Sequence, residues 1–236
     1  MDKSRDQISG YYDGFSKHME KIGVNIRHRT IFYQLKQNGL KQNATVLEIG
    51  CGIGQVTGLV AKYLTKGSIV AVDISPTNIE NARSRLKSFT NVEFLVSDMS
   101  DFSSKKQFDF VILPDVLEHI PLEQHAQLFA NIASVTHPNS TVFINIPSPH
   151  FQDYLSNYKH ELQQIIDLSL RTELLLPSFI NNGFYIHSLQ NYPLAVEECD
   201  YQQIILKKQR AINKVRYFSK KELIKMELFA RIRLLI

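Results

Sequence analysis

Thr45-Val46-Leu47-Glu48-Ile49-Gly50-Cys51-Gly52-Ile53-Gly54 is the stretch that decides how this chain folds. Its first half, Thr45 to Ile49, is apolar, partly β-branched and too short for a helix, which predicts a buried strand. Three glycines on alternate positions then turn the chain into residues 55–65, which are predicted to be helical. A strand, a glycine turn and a helix leave bare backbone at the positive end of a helix dipole. We therefore expect a nucleotide-type ligand to bind here.

The same alternation of strand and helix continues to Pro147. Further strands are predicted over residues 68–73, 92–96, 108–113 and 141–146, and further helices over 76–88 and 121–135. This order predicts an α/β fold with a doubly wound, Rossmann-like and mostly parallel sheet, whose crossovers are right-handed.

The regular alternation of strands and helices ends after Pro147. Residues 148–171 form a polar, aromatic insertion, followed by a predicted helix from Glu173 to Ile180 and two strands, Phe184 to Leu189 and Tyr201 to Leu206. These strands are predicted to be a terminal pair with one antiparallel edge. Residues 1–206 would then be one domain, in which a helical cap (1–44) and the 148–171 insertion cover the open side of the site.

The positive charge of the chain is concentrated at its C-terminus. The 236 residues carry a net charge of +4, but residues 207–236 hold ten basic and two acidic residues, so the preceding residues carry −4. An acidic body argues against nucleic-acid binding by that part. The tail contains a capping-box pattern from Ser219 to Glu222 and then apolar residues, which predicts a basic amphipathic helix that contacts a membrane surface, another subunit or a further domain.

Targeting signals are not evident in the sequence. The first residues lack the apolar core of a signal peptide, and no run approaches the ~20 apolar residues that span a bilayer. Cys51 and Cys199 are far apart and show no metal-ligand spacing, so no metal site is expected. We expect a cytoplasmic protein, with peripheral membrane association as an alternative.

The ligand class follows from the residues around the glycine turn. Val70 to Asp73 is a second strand that ends in an acid, suited to a ribose hydroxyl. A dinucleotide turn would place its third glycine where Gln55 stands, whereas here Gly54 completes G-x-G-x-G, the variant of S-adenosylmethionine binders. Two later stretches agree with this ligand: a strand ending in Asp98-Met99 and the loop that follows Pro114.

Together these motifs resemble class I S-adenosylmethionine-dependent methyltransferases over about residues 10–206. The resemblance is closest to the small-molecule branch related to ubiquinone-pathway O-methyltransferases, because of Leu117-Glu118-His119-Ile120. It implies a seven-stranded sheet whose last strand is antiparallel. It also implies where each part of the cofactor binds. The methionine moiety would lie against Gly50, Cys51 and Gly52, with its carboxylate near Arg27 and the sulfonium near Pro114. The ribose would bind Asp73, adenine would lie between Asp98 and the backbone N–H of Met99, and Glu48 and Ile74 would also belong to the cofactor site.

Simpler roles remain open for several of these residues. Asp73 could cap the helix that follows its strand, Asp98 could be a turn residue, and Arg27 could be a solvated surface side chain. Cys51 is expected to be a small turn residue and not a nucleophile, because nothing nearby would lower its pKa.

The expected chemistry is transfer of the cofactor's methyl group to a small molecule. A hydroxyl acceptor gains from a general base, for which His119 and then His150 are the candidates, the alternative being a structural role. Leu113-Pro114-Asp115-Val116 differs from the Asn/Asp-Pro-Pro-Tyr/Phe motif of amine methylation. We predict a hydroxyl of a saccharide or other polar or ring metabolite. The alternatives are a macromolecular acceptor directed by the basic tail and a cofactor-binding protein without catalysis.

Overall fold

The fold is known from a computed structural model, which describes residue 10 and residues 23–100, 102–211 and 215–233. The helices are α1 (Ile26–Gln37), α2 (Gln55–Tyr63), α3 (Pro76–Arg85), α4 (His125–Ser134), α5 (Pro149–Tyr158), α6 (Thr172–Ile180) and α7 (Lys220–Arg233). The strands are β1 (Thr45–Ile49), β2 (Ser68–Asp73), β3 (Val92–Val96), β4 (Phe108–Pro114), β5 (Thr136–Pro147), β6 (Phe184–Tyr192) and β7 (Tyr201–Lys208).

The seven strands form one sheet in the order β3-β2-β1-β4-β5-β7-β6. Pairing is parallel from β3 through β5, and β7 runs antiparallel to both of its neighbours. The strand order reverses between β1 and β4, so the carboxyl ends of these two strands border a crevice of the kind in which open α/β sheets bind ligands. The predicted seven-stranded, mostly parallel sheet with an antiparallel last strand is confirmed.

The predicted position of the antiparallel strand at the sheet edge is wrong. β7 lies between β5 and β6, and β6 is the edge strand. The physical reason is burial: Ile204, Ile205 and Leu206 are apolar on both faces of β7 and are fully covered, whereas most of β6 is exposed. A continuous apolar run suits an interior strand better than an edge.

Helices cover both faces of the sheet, as the alternation predicts. One core packs side chains of α1 and α2, including Ile31, Leu35 and Val60, against the sheet. The core on the opposite face takes Phe129 from α4 and Phe179 from α6, whose rings meet edge to face with centroids 4.7 Å apart. Burial on both faces fixes the register of the central strands and therefore the positions of their carboxyl ends.

The helix predicted over residues 121–135 begins later than expected. Pro121 is extended (ψ 137°) and is followed by a separate turn, Leu122–Gln124, so that α4 starts at His125. Helices α2 and α3 also end two or three residues before their predicted ends.

The predicted N-terminal cap is described only from Gly23 onward, apart from residue 10. Its last part is α1, which begins with a capping box: the Asn25 side chain accepts the His28 N–H, and the Asn25 N–H donates to the His28 ring. Gly39, in the left-handed region at φ +92°, ends the turn after the helix. The buried positions His28, Ile31 and Leu35 dock α1 beside the strand ends.

The C-terminal helix α7 has the predicted cap. The Ser219 and Glu222 side chains and backbone bond reciprocally, as in a capping box. Leu223, Ile224, Leu228 and Phe229 lie on different sides of the helix, and each is more than half exposed. The described side chains of α7 therefore form no single apolar face, and the amphipathic character of the whole tail, which includes Ile232 and Leu235 outside the described side chains, stays a prediction.

Within the described ranges, each helix is too short or too polar to span a lipid bilayer.

Candidate active site

A cavity of about 240 Å³ opens at the carboxyl ends of β1, β2 and β4. The residues that line it come from the glycine turn, from the ends of three strands, from α1 and from the 148–171 insertion. All ten residues predicted to bind the cofactor are among them: Arg27, Glu48, Gly50, Cys51, Gly52, Asp73, Ile74, Asp98, Met99 and Pro114.

The glycine turn is held to β2 by its own backbone. The N–H groups of Gly50 and Cys51 both donate to the carbonyl of Val72, at 2.8 and 2.9 Å. Gly50 has φ +71°, and a Cβ there would lie 2.2 Å from the Val116 side chain, so only glycine fits between the turn and the loop after β4. Gly52 (φ +53°) has open space on that side, which leaves a cradle that a side chain would fill.

The Cys51 side chain is not a nucleophile. Burial raises the pKa of its thiol well above the usual value, and the nearby Asp73 and Glu48 carboxyls raise it further. The thiol therefore stays protonated, in agreement with the expected role as a small turn residue.

Asp73 joins the glycine turn to the start of α3. Its Oδ2 accepts the Gly52 N–H at 2.8 Å, and its Oδ1 accepts the Ser75 N–H at 2.9 Å and the Asn78 amide at 3.1 Å. The helix cap itself is Ser75. Asp73 thus supports the helix cap, as one of the two sequence-based interpretations proposed. It also faces the cavity, in the position expected of an acid that binds a ribose.

Glu48 is a buried acid without a charged partner. It is 1% exposed, and neither of its carboxyl oxygens has a hydrogen bond of normal geometry among the described residues, although the nearby Thr57 side chain acts to lower its pKa. Burial raises the pKa of this carboxyl to about 8. A neutral acid at the cavity wall can lose its proton when a cationic ligand arrives.

The Asp98-Met99 pair lines the cavity, but one predicted contact is wrong. The N–H of Met99, expected to face adenine, donates to the Ser97 hydroxyl at 3.0 Å because Met99 is in the left-handed region (φ +65°). Asp98 Oδ1 accepts from the Ser100 N–H at 2.9 Å and from its hydroxyl at 2.7 Å. Asp98 therefore stabilises the turn after β3, and it also borders the cavity.

Arg27 is part of an ion pair and not a solvated side chain. Its Nη1 lies 3.1 Å from Asp115 Oδ2 and 3.4 Å from the Tyr201 hydroxyl. The Asp115 carboxylate raises the pKa of the guanidinium against the opposing effect of burial, so Arg27 is charged.

Asp115 lines the cavity in addition to the predicted residues. It follows β4 directly, in the left-handed region at φ +56°, which is uncommon for a residue other than glycine. Its N–H donates to the Asn145 carbonyl (2.8 Å), and its Oδ1 accepts the Asn145 amide (3.0 Å). Its position next to Pro114 is the sequence signal that could have indicated a cavity residue. Its pairing with Arg27 has no such signal, because the two residues are far apart in the chain.

His119 lines the cavity from the single helical turn Leu117–His119. Its Nδ1 lies 2.6 Å from the Ile166 carbonyl and 2.9 Å from Asp167 Oδ1. Burial acts to lower the pKa of this imidazole, but the Glu118 and Asp167 carboxyls outweigh it and raise the pKa to about 9. His119 is therefore mostly protonated at neutral pH, and its role as a general base stays a prediction.

The insertion reaches the cavity through residues 164–168. The Leu168 N–H donates to the Glu118 carbonyl at 2.9 Å, and Gln164 lines the cavity with its Oε1 buried and unpaired among the described residues. Gln164 and Gln124, also in the lining, were not selected from the sequence because isolated glutamines give no local signal.

His150 does not reach this site. It is the second residue of α5, its side chain is exposed, and it is not among the residues that line the cavity. Because α5 turns this position towards solvent, His150 lies outside the cavity, and its catalytic role stays a prediction.

Comparison with known proteins shows which family part of the chain is similar to. Residues 46–139 match a family model described as a methyltransferase domain. That range contains the glycine turn, Asp73, Asp98 and His119 together. The chain is therefore similar to class I S-adenosylmethionine-dependent methyltransferases over this range.

Curated relatives are about a quarter to a third identical to this chain over the parts that align. A malonyl-[acyl-carrier protein] O-methyltransferase of Priestia megaterium is 29% identical over 65% of this chain and 54% of that protein. A trans-aconitate 2-methyltransferase of Methylobacterium radiotolerans is 25% identical over 52% of this chain and 44% of that protein. The chain thus spans about half the length of these relatives.

A solved structure has the same fold. The magnesium protoporphyrin IX methyltransferase of Synechocystis, with bound S-adenosylhomocysteine, superposes with a TM-score of 0.68 at 17% identity, covering 87% of this chain and 99% of that one.

The cavity fits S-adenosylmethionine, the cofactor of the proteins that the chain is similar to. The cradle at Gly52 is open, the Asp73 carboxylate stands beside it, and the buried Glu48 carboxyl has no cationic partner among the described residues, a role that a cationic cofactor would fill. When bound, the cofactor supplies an electrophilic methyl group on a cationic sulfur. The residues of the chain have to bind it, orient an acceptor and exclude water.

Proposed function

We propose that this protein transfers the methyl group of S-adenosylmethionine to a hydroxyl oxygen of a small molecule, of the saccharide or polar ring-bearing class. The observation that carries the choice of a hydroxyl is the buried, unpaired Oε1 of Gln164 in the cavity wall. An unpaired buried acceptor is costly, and a ligand that donates a hydrogen bond removes that cost.

Other features support a polar, uncharged acceptor. Gln124 supplies a second amide in the same lining, and amides both donate to and accept from hydroxyl groups. The loop after β4 has Pro114-Asp115-Val116 in place of the motif typical of amine methylation. The name of one relative, malonyl-[acyl-carrier protein] O-methyltransferase, also supports an oxygen acceptor.

An aromatic stripe on α5 supports a ring-bearing acceptor. Phe151 and Tyr154 stack with centroids 6.1 Å apart, and Tyr154 and Tyr158 lie 5.4 Å apart. Tyr154 and Tyr158 are exposed, so their faces are available to a sugar or aromatic ring. The stripe follows β5 and so begins at the same end of the sheet as the cavity.

The test is methyl transfer from labelled S-adenosylmethionine to a panel of glycans, nucleotide sugars, phenols, carboxylic acids and amines. We expect a labelled methyl ether with at least one hydroxyl compound. Gln164→Leu should then raise the KM for that acceptor about tenfold, the loss of one buried hydrogen bond, and leave cofactor affinity unchanged. Gln127→Leu on the exposed side of α4 is the matched control. Transfer only to amines or carboxylates, or cofactor binding with no transfer, would contradict the proposal.

A second candidate, a macromolecular acceptor, is favoured by α7. This helix carries exposed apolar residues and basic residues outside the sheet domain. A truncation that tests it has to begin after Ala211, because Lys208 belongs to β7 and the Gln209 N–H donates to the Gly183 carbonyl. If the truncated protein retains full transfer to small molecules and the full chain binds neither RNA nor anionic vesicles, the second candidate is rejected.

A further inference from the structure

The 148–171 insertion reaches the cavity as an irregular segment, residues 164–168, which we call the strap. The strap contains no helix and no strand, so no backbone ladder fixes its path. It nevertheless carries Gln164, whose buried Oε1 belongs to the cavity wall. The position of Gln164 therefore depends on individual contacts between the strap and the rest of the domain.

The side chain of Asp167 makes two contacts that fix the strap. Its Oδ2 accepts the backbone N–H of Gln164 at 2.8 Å and so closes a tight turn within the strap. Its Oδ1 lies 2.9 Å from Nδ1 of His119, and the side chain of Asp167 is only 9% exposed, so that water screens this contact little. One carboxylate therefore ties Gln164 to His119, and the side chains of both residues line the cavity.

His119 keeps its contact with the strap in both of its protonation states. Its Nδ1 faces two acceptors, the Asp167 carboxylate and the Ile166 carbonyl, the latter at 2.6 Å. Because a carbonyl oxygen cannot donate a hydrogen bond, Nδ1 carries a proton, and Nε2 is the nitrogen that gains or loses one. The anchor of the strap is therefore present whether or not His119 is charged.

Other contacts bring the strap to the cavity without fixing Gln164. The Leu168 N–H donates to the Glu118 carbonyl at 2.9 Å, and Leu168 and Leu170 pack against the hydrophobic core. These contacts do not involve the Asp167 side chain, so the strap should stay on the domain when this carboxylate is removed. Replacement of Asp167 therefore changes the position of Gln164 more than it changes the fold.

We propose that Asp167 is a positioning residue for the methyl acceptor, which holds the Gln164 amide and the His119 imidazole where both reach one acceptor hydroxyl. The proposal deepens the proposed function and rests on it, because it concerns the hydroxyl acceptor. Asp167 is not among the residues that line the cavity. It acts on the acceptor through Gln164 and His119 and touches neither the acceptor nor the cofactor.

Hydrogen exchange on the full chain tests the anchor without any acceptor. Asp167→Ala removes both contacts of the carboxylate, so the Gln164 N–H should exchange at least about tenfold faster than in the wild type. Asp153→Ala is the matched control, because it breaks the exposed ion pair of 2.6 Å with Arg171, just beyond the strap. Exposed pairs of this kind contribute little, so the control should match the wild type. Equal exchange of the Gln164 N–H in the wild type and Asp167→Ala would overturn the proposal.

Kinetics with a hydroxyl compound that the protein methylates test the positioning role. Asp167→Ala should raise the KM for this acceptor about tenfold, as Gln164→Leu does, and leave the affinity for S-adenosylhomocysteine unchanged. Above the pKa of His119, kcat should stay close to the wild-type value, since the Ile166 carbonyl still orients the imidazole. In the double variant with Gln164→Leu, KM should remain about tenfold raised, because both changes remove the same contact to the acceptor. Asp167→Asn keeps one acceptor oxygen and should give a smaller change of the same sign, which serves if the alanine variant is unstable.

Several outcomes overturn the proposal. A wild-type KM in Asp167→Ala would do so, and so would effects on KM that multiply in the double variant. Parallel losses of cofactor affinity and melting temperature would make Asp167 a purely structural residue. If the Gln164 N–H exchanges faster in Asp167→Ala but no hydroxyl compound is methylated, the anchor stands and the proposed function fails together with the acceptor role of Asp167. If a hydroxyl compound is methylated with an unchanged KM, the proposed function stands and only the role of Asp167 fails.

Discussion

Asp73 accepts the backbone N–H of Gly52 at 2.8 Å across 21 positions of sequence. This contact ties the carboxyl end of β2 to the turn after β1, and the same carboxylate holds the start of α3 through Ser75 and Asn78. The shape of the cofactor cradle and the stability of the first α/β unit therefore depend on one side chain.

Replacement of Asp73 should affect both properties. Asp73→Ala leaves the Gly52 and Ser75 N–H groups without their partner, and we expect the free energy of unfolding to fall by about 2 kcal/mol or more. Cofactor affinity should fall by about a hundredfold, since a charge-assisted contact is lost as well. Chemical denaturation and calorimetry with S-adenosylhomocysteine measure the two effects. Glu80→Ala on the outer side of α3 is the control, and a variant of Asp73 with normal affinity would contradict the assigned position.

Two glycines of the turn should respond differently to the same substitution. Gly50→Ala places a Cβ against Val116 and strains a positive φ, so we expect a loss of at least about 2 kcal/mol in stability. Gly52→Ala meets open space and should cost only the backbone strain, about 1 kcal/mol, but it fills the cradle and should weaken S-adenosylhomocysteine binding at least tenfold.

The contact with Val116 can be tested by a double-mutant cycle. Val116→Ala in the Gly50→Ala background should recover part of the lost stability, because the clash disappears while the strain remains. Strict additivity of the two substitutions would show that the turn and the loop after β4 do not press on each other.

Local sequence patterns were sufficient to predict the parts of this site whose residues lie near one another in the sequence. The β-branched run to Ile49, the alternate glycines and the acid at the end of β2 predicted a strand, a turn and an acceptor that the structure brings to one cavity. These features are dictated by steric limits and by strand ends meeting at one edge of a parallel sheet.

Features that depend on distant segments were not predictable. Asp115 acquires its partner because α1 packs over the strand ends, and Gln164 reaches the cavity because Leu168 bonds to Glu118. The pKa of His119 depends on Asp167, 48 positions later, which no local pattern places beside it. The position of β7 inside the sheet was available in principle from the apolar run Ile204-Ile205-Leu206, which an edge strand would expose.

The buried acid Glu48 should make stability depend on pH. Its pKa is about 8 in the folded protein and about 4.5 when unfolded, so the folded state binds more protons between these values. The resulting stabilisation is complete below pH 4.5 and is lost as pH rises through 8. Relative to Glu48→Gln, the wild type should lose about 3 kcal/mol between pH 4.5 and 7, at 1.4 kcal/mol per pH unit. Denaturant titrations of both proteins across this range measure the difference, and parallel curves would contradict the raised pKa.

The same carboxyl should release its proton when a cation binds beside it. The sulfonium and ammonium groups of S-adenosylmethionine favour the charged form of Glu48, so binding at pH 7 should release up to about one proton. Calorimetry in buffers with different ionisation enthalpies measures this number. Glu48→Gln should release none, and equal release by both proteins would assign the proton to another group.

His119 should act as a general base only in alkaline solution. Because its pKa is about 9, the neutral form that accepts the proton of a hydroxyl is about 1% of the protein at pH 7. With a hydroxyl acceptor, kcat/KM should therefore rise nearly tenfold per pH unit from pH 7 and level off above 9. Asp167→Asn removes one of the carboxyls that raise the pKa of His119, so this pKa should fall towards the ordinary histidine value of 6.5. The rising part of the pH profile should then move to lower pH. His119→Gln should abolish the limb. A profile of the wild type that is flat from pH 7 to 9 would show that the imidazolium only holds residues 164–168 over the cavity, and that the acceptor loses its proton to another group.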